Sequence, residues 1–278
     1  MATRRITTRN ARFQQLQALL SNRTKRGRAG EFLVQGVRPI SMAVEHGWRV
    51  RALLYDAEAR LSGWAQDLLR STRGELLAMS PQLLAELSEK SEGAVELLAV
   101  VEMPPDDLAR IEVGPEFLGV VFDRPTQPGN IGAIARSADA FGADALITTG
   151  HASDAYDPKS VRASTGSLFA VPVVRSPSHR EVMAWVADRR AAGDPLVVVA
   201  TDEHGDVDAA DLDLTRPSLL LTGNETAGLS RAWLEAADVT IRIPMAGSAS
   251  SLNASNAAAV VLYEAHRQRV AARHGAAR

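Results

Sequence analysis

The chain contains no cysteine in 278 residues. Disulfides, thiolate zinc sites and covalent catalysis through a thiol are therefore excluded. Histidine is sparse: His46, His151, His179, His204, His266 and His274 are scattered and never paired at ligand spacing, so no histidine-built metal centre is expected. No apolar run approaches the roughly 18 residues that cross a bilayer. The N-terminus is arginine-rich but lacks the hydrophobic core of a secretory signal. An organellar transit peptide would share that bias, but a soluble cytoplasmic protein is the expectation.

What is present is globular in character, with 46% hydrophobic and 23% charged residues. The net charge of −2 conceals an asymmetry. Residues 1–51 hold eleven Lys/Arg against Glu31 and Glu45, a local +9, while the remainder carries 20 basic and 31 acidic residues. Met103-Pro104-Pro105-Asp106-Asp107, then Gly114-Pro115, disfavours a continuing helix or sheet. The chain is accordingly divided into residues 1–103, a linker at 104–116, and residues 117–278.

The first part reads as a small α/β unit. Phe13, Leu16, Leu19 and Leu20 have helical spacing, strands are expected at 31–36, 50–55 and 95–101, and helices at 38–46 and 81–87. The later part alternates strands (117–122, 145–149, 168–174, 196–200, 218–222, 239–243) with helices (131–141, 182–191, 254–269). Alternation of this kind predicts a mostly parallel sheet covered by helices on both faces.

Three loops in the later part carry chemistry. Each follows a strand, where α/β proteins bind ligands. In Asp123-Arg124-Pro125-Thr126-Gln127-Pro128-Gly129-Asn130, Asn130 is placed to cap the following helix, and Arg136 lies about 140° from Ile131, off the apolar stripe. The plain reading is an N-cap and a solvated arginine. Gly223-Asn224-Glu225-Thr226-Ala227-Gly228 sets one carboxylate between two glycines, allowing close backbone approach or simply a strand-to-helix turn. The segment Ile243 to Asn253 is built of small residues and ends at Asn253, itself suited to capping. Three such loops together are not explained by capping alone. No G-x-G-x-x-G fingerprint is present, which argues against a nicotinamide-dependent oxidoreductase.

The three loops resemble the three motifs of the SpoU (TrmH) family of RNA 2′-O-ribose methyltransferases: Gly129-Asn130-Ile131-Gly132 through Arg136-Ser137-Ala138, Leu221-Thr222-Gly223-Asn224-Glu225 with Gly228-Leu229-Ser230, and Ile243-Pro244-Met245 with Ser251-Leu252-Asn253-Ala254-Ser255. Many members have valine where this chain has Ala254, a change of packing and not of functional group. The basic first part is similar to the small RNA-binding domain that many members carry, and the whole arrangement is similar to thiostrepton-resistance and other ribosomal RNA methyltransferases.

The resemblance implies a knotted (trefoil) catalytic domain, a homodimer with the active site near the interface, and S-adenosyl-L-methionine as cofactor. The positions matching cofactor contacts are Gly223, Ile243 and Leu252, with Thr222, Met245, Ala200 and Thr201 beside them. Arg136 matches the arginine implicated in activating the ribose hydroxyl; Asn130, Glu225, Ser251 and Asn253 match positions near the reacting centre. Arg162 resembles a second family arginine, equally readable as a surface ion pair. RNA phosphates are expected to meet Arg23, Lys25, Arg26 and Arg28, extended by Arg9, Arg12 and Arg38, because the cationic charge is concentrated there. A sulfonium donor needs neither metal nor covalent intermediate, which suits a chain without cysteine. The expected reaction is 2′-hydroxyl methylation of ribosomal RNA. The alternatives are the same reaction on transfer RNA, or a non-catalytic RNA-binding or assembly factor with the same fold.

Overall fold

The computed structural model describes residues 3–88 and 95–276, which form two compact units. The first comprises the chain up to Pro104 together with Tyr156–Ala170, and the second holds Pro105–Ala155 and Val171 onward. The segment 104–116 is thus no free linker, since all but its first residue belongs to the second unit. The sequence division also misplaces 156–170. Val161, Leu168 and Phe169 are buried there, and Phe169 stacks on Phe32 with ring centroids 6.1 Å apart. Apolar burial within the first unit outweighs chain continuity with the second.

The first unit runs β1 (Thr3–Ile6), α1 (Ala11–Ser21), α2 (Arg23–Ala29), β2 (Glu31–Gln35), α3 (Val37–Glu45), β3 (Val50–Asp56), α4 (Gly63–Ser71), β4 (Glu75–Met79), α5 (Pro81–Glu86) and β5 (Leu97–Glu102). Its mixed five-stranded sheet has the order β1-β4-β3-β5-β2, with β2 and β5 antiparallel. Asn10 caps α1 by accepting from Phe13 N at 3.0 Å; Asn22 then closes α1 and caps α2. Gly30, at φ 63°, stops α2 in the left-handed conformation that glycine adopts without steric cost. The expected apolar stripe of α1, Phe13, Leu16 and Leu19, packs against Leu54, Leu77 and Leu98 from the sheet.

The second unit runs β6 (Leu118–Asp123), α6 (Pro128–Ala140) and β7 (Ala145–Thr149). After the excursion through α7 (Pro158–Ser164), which belongs to the first unit, it continues with β8 (Val173–Ser176), α8 (His179–Ala191), β9 (Val197–Thr201), β10 (Val207–Asp208), β11 (Ser218–Thr222), α9 (Arg231–Ala236), β12 (Val239–Arg242) and α10 (Ala254–Ala276). The seven strands are all parallel, in the order β10-β12-β9-β11-β6-β7-β8. Every residue of β6, β7 and β11 is buried, as strands covered on both faces must be. Val121, Ile147, Leu219 and Leu221 pack with Val182 and Val186 of α8 and Trp233 of α9, while α10 packs on α6 and β11.

One strand expectation fails. The strand expected at 168–174 starts late: Ser167–Phe169 form a short 3-10 turn of the first unit, and β8 begins only at Val173. Gly166 at φ 105° and the burial of Leu168 and Phe169 impose a compact turn on an apolar run. No helix among the described residues is long and apolar enough to cross a membrane.

Candidate functional site

Four adjacent parallel strands, β12-β9-β11-β6, deliver the turns that follow them to one edge of the sheet. The turns after β9, β11 and β12 line a cleft of about 420 Å³. Its walls include Thr201, Asp202 and Glu203, the stretch from Thr222 to Gly228, Ile243 and Met245, and Ser250, Ser251 and Leu252. Gly223, Ile243 and Leu252, from two sequence motifs about 20 residues apart, therefore share one cavity, with Thr201, Thr222 and Met245 beside them. Ala200 does not line it. It is fully buried in the core with Leu219 and Leu221, because alternate residues of a strand face opposite sides.

The second turn is closed by its own hydrogen bonds. Asn224 Oδ1 accepts from the amides of Thr226 and Ala227 at 2.9 and 3.0 Å, and Asn224 and Gly228 exchange backbone hydrogen bonds. A Cβ on Gly223 would lie 2.3 Å from the Gly228 carbonyl carbon, so no other residue fits and the cleft wall there is bare backbone.

Glu225 couples this turn to the first. One carboxylate oxygen accepts from Thr126 N at 3.0 Å and Thr126 Oγ1 at 2.9 Å; the other accepts from Gln127 N at 3.1 Å and Asn130 Nδ2 at 3.0 Å. Partial burial is the largest single influence on its pKa and raises it, but the hydrogen bonds from Thr126, Asn130 and Gln127 together outweigh burial and hold it below the ordinary 4.5. A carboxylate saturated in this way braces loops and is poorly placed to take a proton.

Asn130 is consequently not the helix cap. The N-cap is Gln127, without a side-chain cap bond, Pro128 opens α6, and Glu225 accepts from the Thr126 and Gln127 amides just ahead of the helix. The third turn joins the same chain of contacts. Asn253 Nδ2 lies 3.5 Å from Asn130 Oδ1, and its Oδ1 caps α10 by accepting from Ser255 N at 2.9 Å. Ser251 is exposed in the cleft lining, and Arg136 projects exposed from α6 outside that lining. Sequence reasoning missed Asp202 and Glu203 in the cleft wall, and it gave no role to Asp123, Arg124 and Asn224, whose hydrogen bonds hold the turns. An acid closing an apolar strand, Asp123, was the available signal. Among the described residues no group of three or more His, Asp or Glu is arranged to hold a metal ion.

In the first unit the basic residues divide. Lys25 and Arg28 are exposed, as is Arg23. Arg26 is 2% exposed: its guanidinium donates to the carbonyls of Leu19 and Leu20 at 2.8 and 2.9 Å and lies 3.4 Å from Asp157. It is a structural clamp and cannot meet RNA, because the spacing that exposes its neighbours turns it inward. Arg9 pairs with Glu86 and Arg12 with Glu75, and Arg38 donates to Thr165 O at 3.3 Å. Arg162 is exposed on α7 and lines a small apolar pocket with Leu20 and Leu33.

Residues 118–263 match the SpoU rRNA Methylase family, and residues 10–99 match the SpoU L30e-like domain. The chain is 68% identical over 272 residues to a 23S rRNA (uridine(2479)-2′-O)-methyltransferase of Streptomyces viridochromogenes, covering 98% of this chain and 95% of that one. It is 29% identical over 244 residues to the 23S rRNA (guanosine(2553)-2′-O)-methyltransferase RlmP of Bacillus subtilis, covering 88% and 92%. Among solved structures, the SpoU methyltransferase AviRb from Streptomyces viridochromogenes, in complex with the cofactor AdoMet, superposes with a TM-score of 0.91 at 68% identity, covering 94% of this chain and 99% of that one.

Proposed function

The chain belongs to the SpoU rRNA methylase family, and from that premise we propose that it uses S-adenosyl-L-methionine to methylate a ribose 2′-hydroxyl of ribosomal RNA. The observation that carries this reading is the shared cleft of Gly223, Ile243 and Leu252, braced through Glu225 to Asn130 at the head of the helix that bears Arg136.

The residues present fit that cofactor. Met245 and Leu252 are 40% and 39% exposed in the cleft, an apolar flank suited to an adenine ring. Asp202 and Glu203 line it as carboxylates suited to a cationic ligand or to sugar hydroxyls. Gly223, Ile243 and Leu252 would hold the cofactor, with Thr201, Thr222 and Met245. When bound, it supplies a methyl group already activated on a sulfonium.

The chain's own residues do the rest. Arg136, too basic to accept a proton, grips the phosphate beside the target ribose and stabilises the alkoxide as it develops. Asn130, Asn253 and Ser251 orient the sugar, and Glu225 fixes Asn130. Lys25, Arg28 and Arg23 attract RNA phosphates. The relative at 68% identity acts on uridine 2479 of 23S rRNA, so a 23S uridine is the first position to map. The proposal includes the chain path knotted at the third turn, a cytoplasmic location, and a homodimer. Val260 and Tyr263 are 42% and 54% exposed on α10, with Tyr263 edge-on to Phe141, and a second copy would cover them.

The test is tritiated-methyl transfer to ribosomal and transfer RNA, followed by ribose mapping. Label at one 2′-O-methylated nucleotide of ribosomal RNA is expected. Label only on transfer RNA, or none with cofactor bound, would refute the reading.

A further inference from the structure

Arg124 carries a left-handed backbone, φ 48°, one of two such non-glycine residues described. That region is sparsely populated for arginine and persists only where the surroundings over-determine it. Here they do. Its Nε donates to Asp123 Oδ2 at 2.9 Å and its Nη2 to Gly228 O at 3.1 Å. Its own carbonyl accepts from Asn224 Nδ2 at 2.6 Å, and its amide donates to Thr149 O at 3.1 Å. Asp123 is 3% exposed and further fixed by Thr149 Oγ1 at 3.0 Å and Ser230 N at 3.1 Å. The aliphatic stem lies over Gly150, where a Cβ would come within 2.9 Å of Arg124 Cγ. These contacts tie the turn after β6 to both ends of the turn after β11.

We infer that Arg124 is a positioning residue: its guanidinium staples the Asn224–Gly228 wall of the cleft to the segment leading into α6, keeping Asn130 and Arg136 in register with whatever fills the cleft. The inference rests on the function proposed above. Glu225 braces the middle of the second turn against Thr126, Gln127 and Asn130, and Asn224 Nδ2 meets the Arg124 carbonyl. The Arg124 guanidinium adds the tie at the far end of that turn, at Gly228.

The discriminating variant is Arg124→Gly, which accepts the positive φ at no steric cost, keeps the backbone contacts to Thr149 and Asn224, and removes the guanidinium with its stem. Arg124→Lys keeps the charge and loses the fork. Melting temperature, cofactor affinity by calorimetry, RNA affinity and kcat are measured for each beside the wild type. For Arg124→Gly we expect kcat to fall on the order of tenfold or more, the scale of a misplaced reacting group. Cofactor Kd should rise about threefold or more, RNA Kd should stay within about twofold, and Arg124→Lys should fall between. Wild-type turnover in Arg124→Gly would overturn the inference. So would a loss confined to RNA affinity with a shallower salt slope, the signature of a phosphate contact. A wild type that binds cofactor yet methylates no RNA would instead sink the proposed function, so the two failures are separable.

Discussion

The basic segment at α1–α2 and the three turns at the sheet edge use polar residues in opposite ways. In α2, four cations fall within six positions, yet their fates diverge: Lys25 and Arg28 reach solvent, while Arg26 is buried against two backbone carbonyls. The turns hold few charges, and Asp123, Arg124, Asn224 and Glu225 each have several hydrogen-bond partners, Glu225 accepting four. The difference teaches that a side chain's role follows from its partners more than from its charge. Dense charge overstates a binding surface when one member is needed to close a core. A sparse polar turn understates a site whose residues brace one another.

The sharpest test is on the site side. Arg136→Ala should lower methyl transfer about 100-fold or more, with cofactor affinity by calorimetry nearly intact; turnover within a few-fold of wild type would remove Arg136 from the site. On the basic side, Arg26→Ala should destabilise the first unit by about 2–4 kcal/mol, since it takes the buried donor from the carbonyls of Leu19 and Leu20 and the charge partner from Asp157. Denaturant unfolding measures that loss, and the salt slope of RNA binding should not change.

Glu225→Gln is a smaller perturbation with a defined pH signature. Folding depresses the Glu225 pKa below 4.5, so its contribution to stability is fully present above that value and is lost as pH falls through the depressed one. The wild type should therefore lose melting temperature on acidification below pH 4.5 more steeply than the Gln variant, and parallel curves would contradict the bracing role. Smallest are Lys25→Ala and Arg28→Ala. Each should reduce the log–log salt slope of RNA binding by about 0.7 if its phosphate lies in single-stranded RNA, without moving the melting temperature. An unchanged slope would place RNA elsewhere.

Much of the fold was legible. The period-2 and continuous apolar runs located β2, β3, β5, β6, β7, β9, β11 and β12 to within a residue or two, because burial on a sheet constrains every position. Less legible were β1, α2, α4, β4, α7 and α9, which are short or polar and held by neighbours. Arg23–Ala29 is helical although five of its seven residues are charged or glycine; Asn22, Gly30 and the Arg26 clamp on α1 hold it. At the site, Gly223, Ile243, Leu252, Asn130 and Asn253 were legible as residues that converge. The reading of Asn130 as a cap fails, because α6 already begins at Pro128 and the Asn130 side chain donates instead to Glu225, 95 residues onward.

By itself, then, the sequence determined the strand-and-helix alternation, the parallel sheet and the residue types at the strand ends, since hydrophobic period and turn chemistry act over neighbouring positions. Only the tertiary structure decided that 156–170 packs with the first unit, that Arg26 is a clamp and Ala200 core, and that Glu225 and Arg124 join two turns into one wall. Each of those outcomes depends on a hydrogen bond or apolar contact between residues far apart in the chain, and no local pattern encodes which distant group will be there.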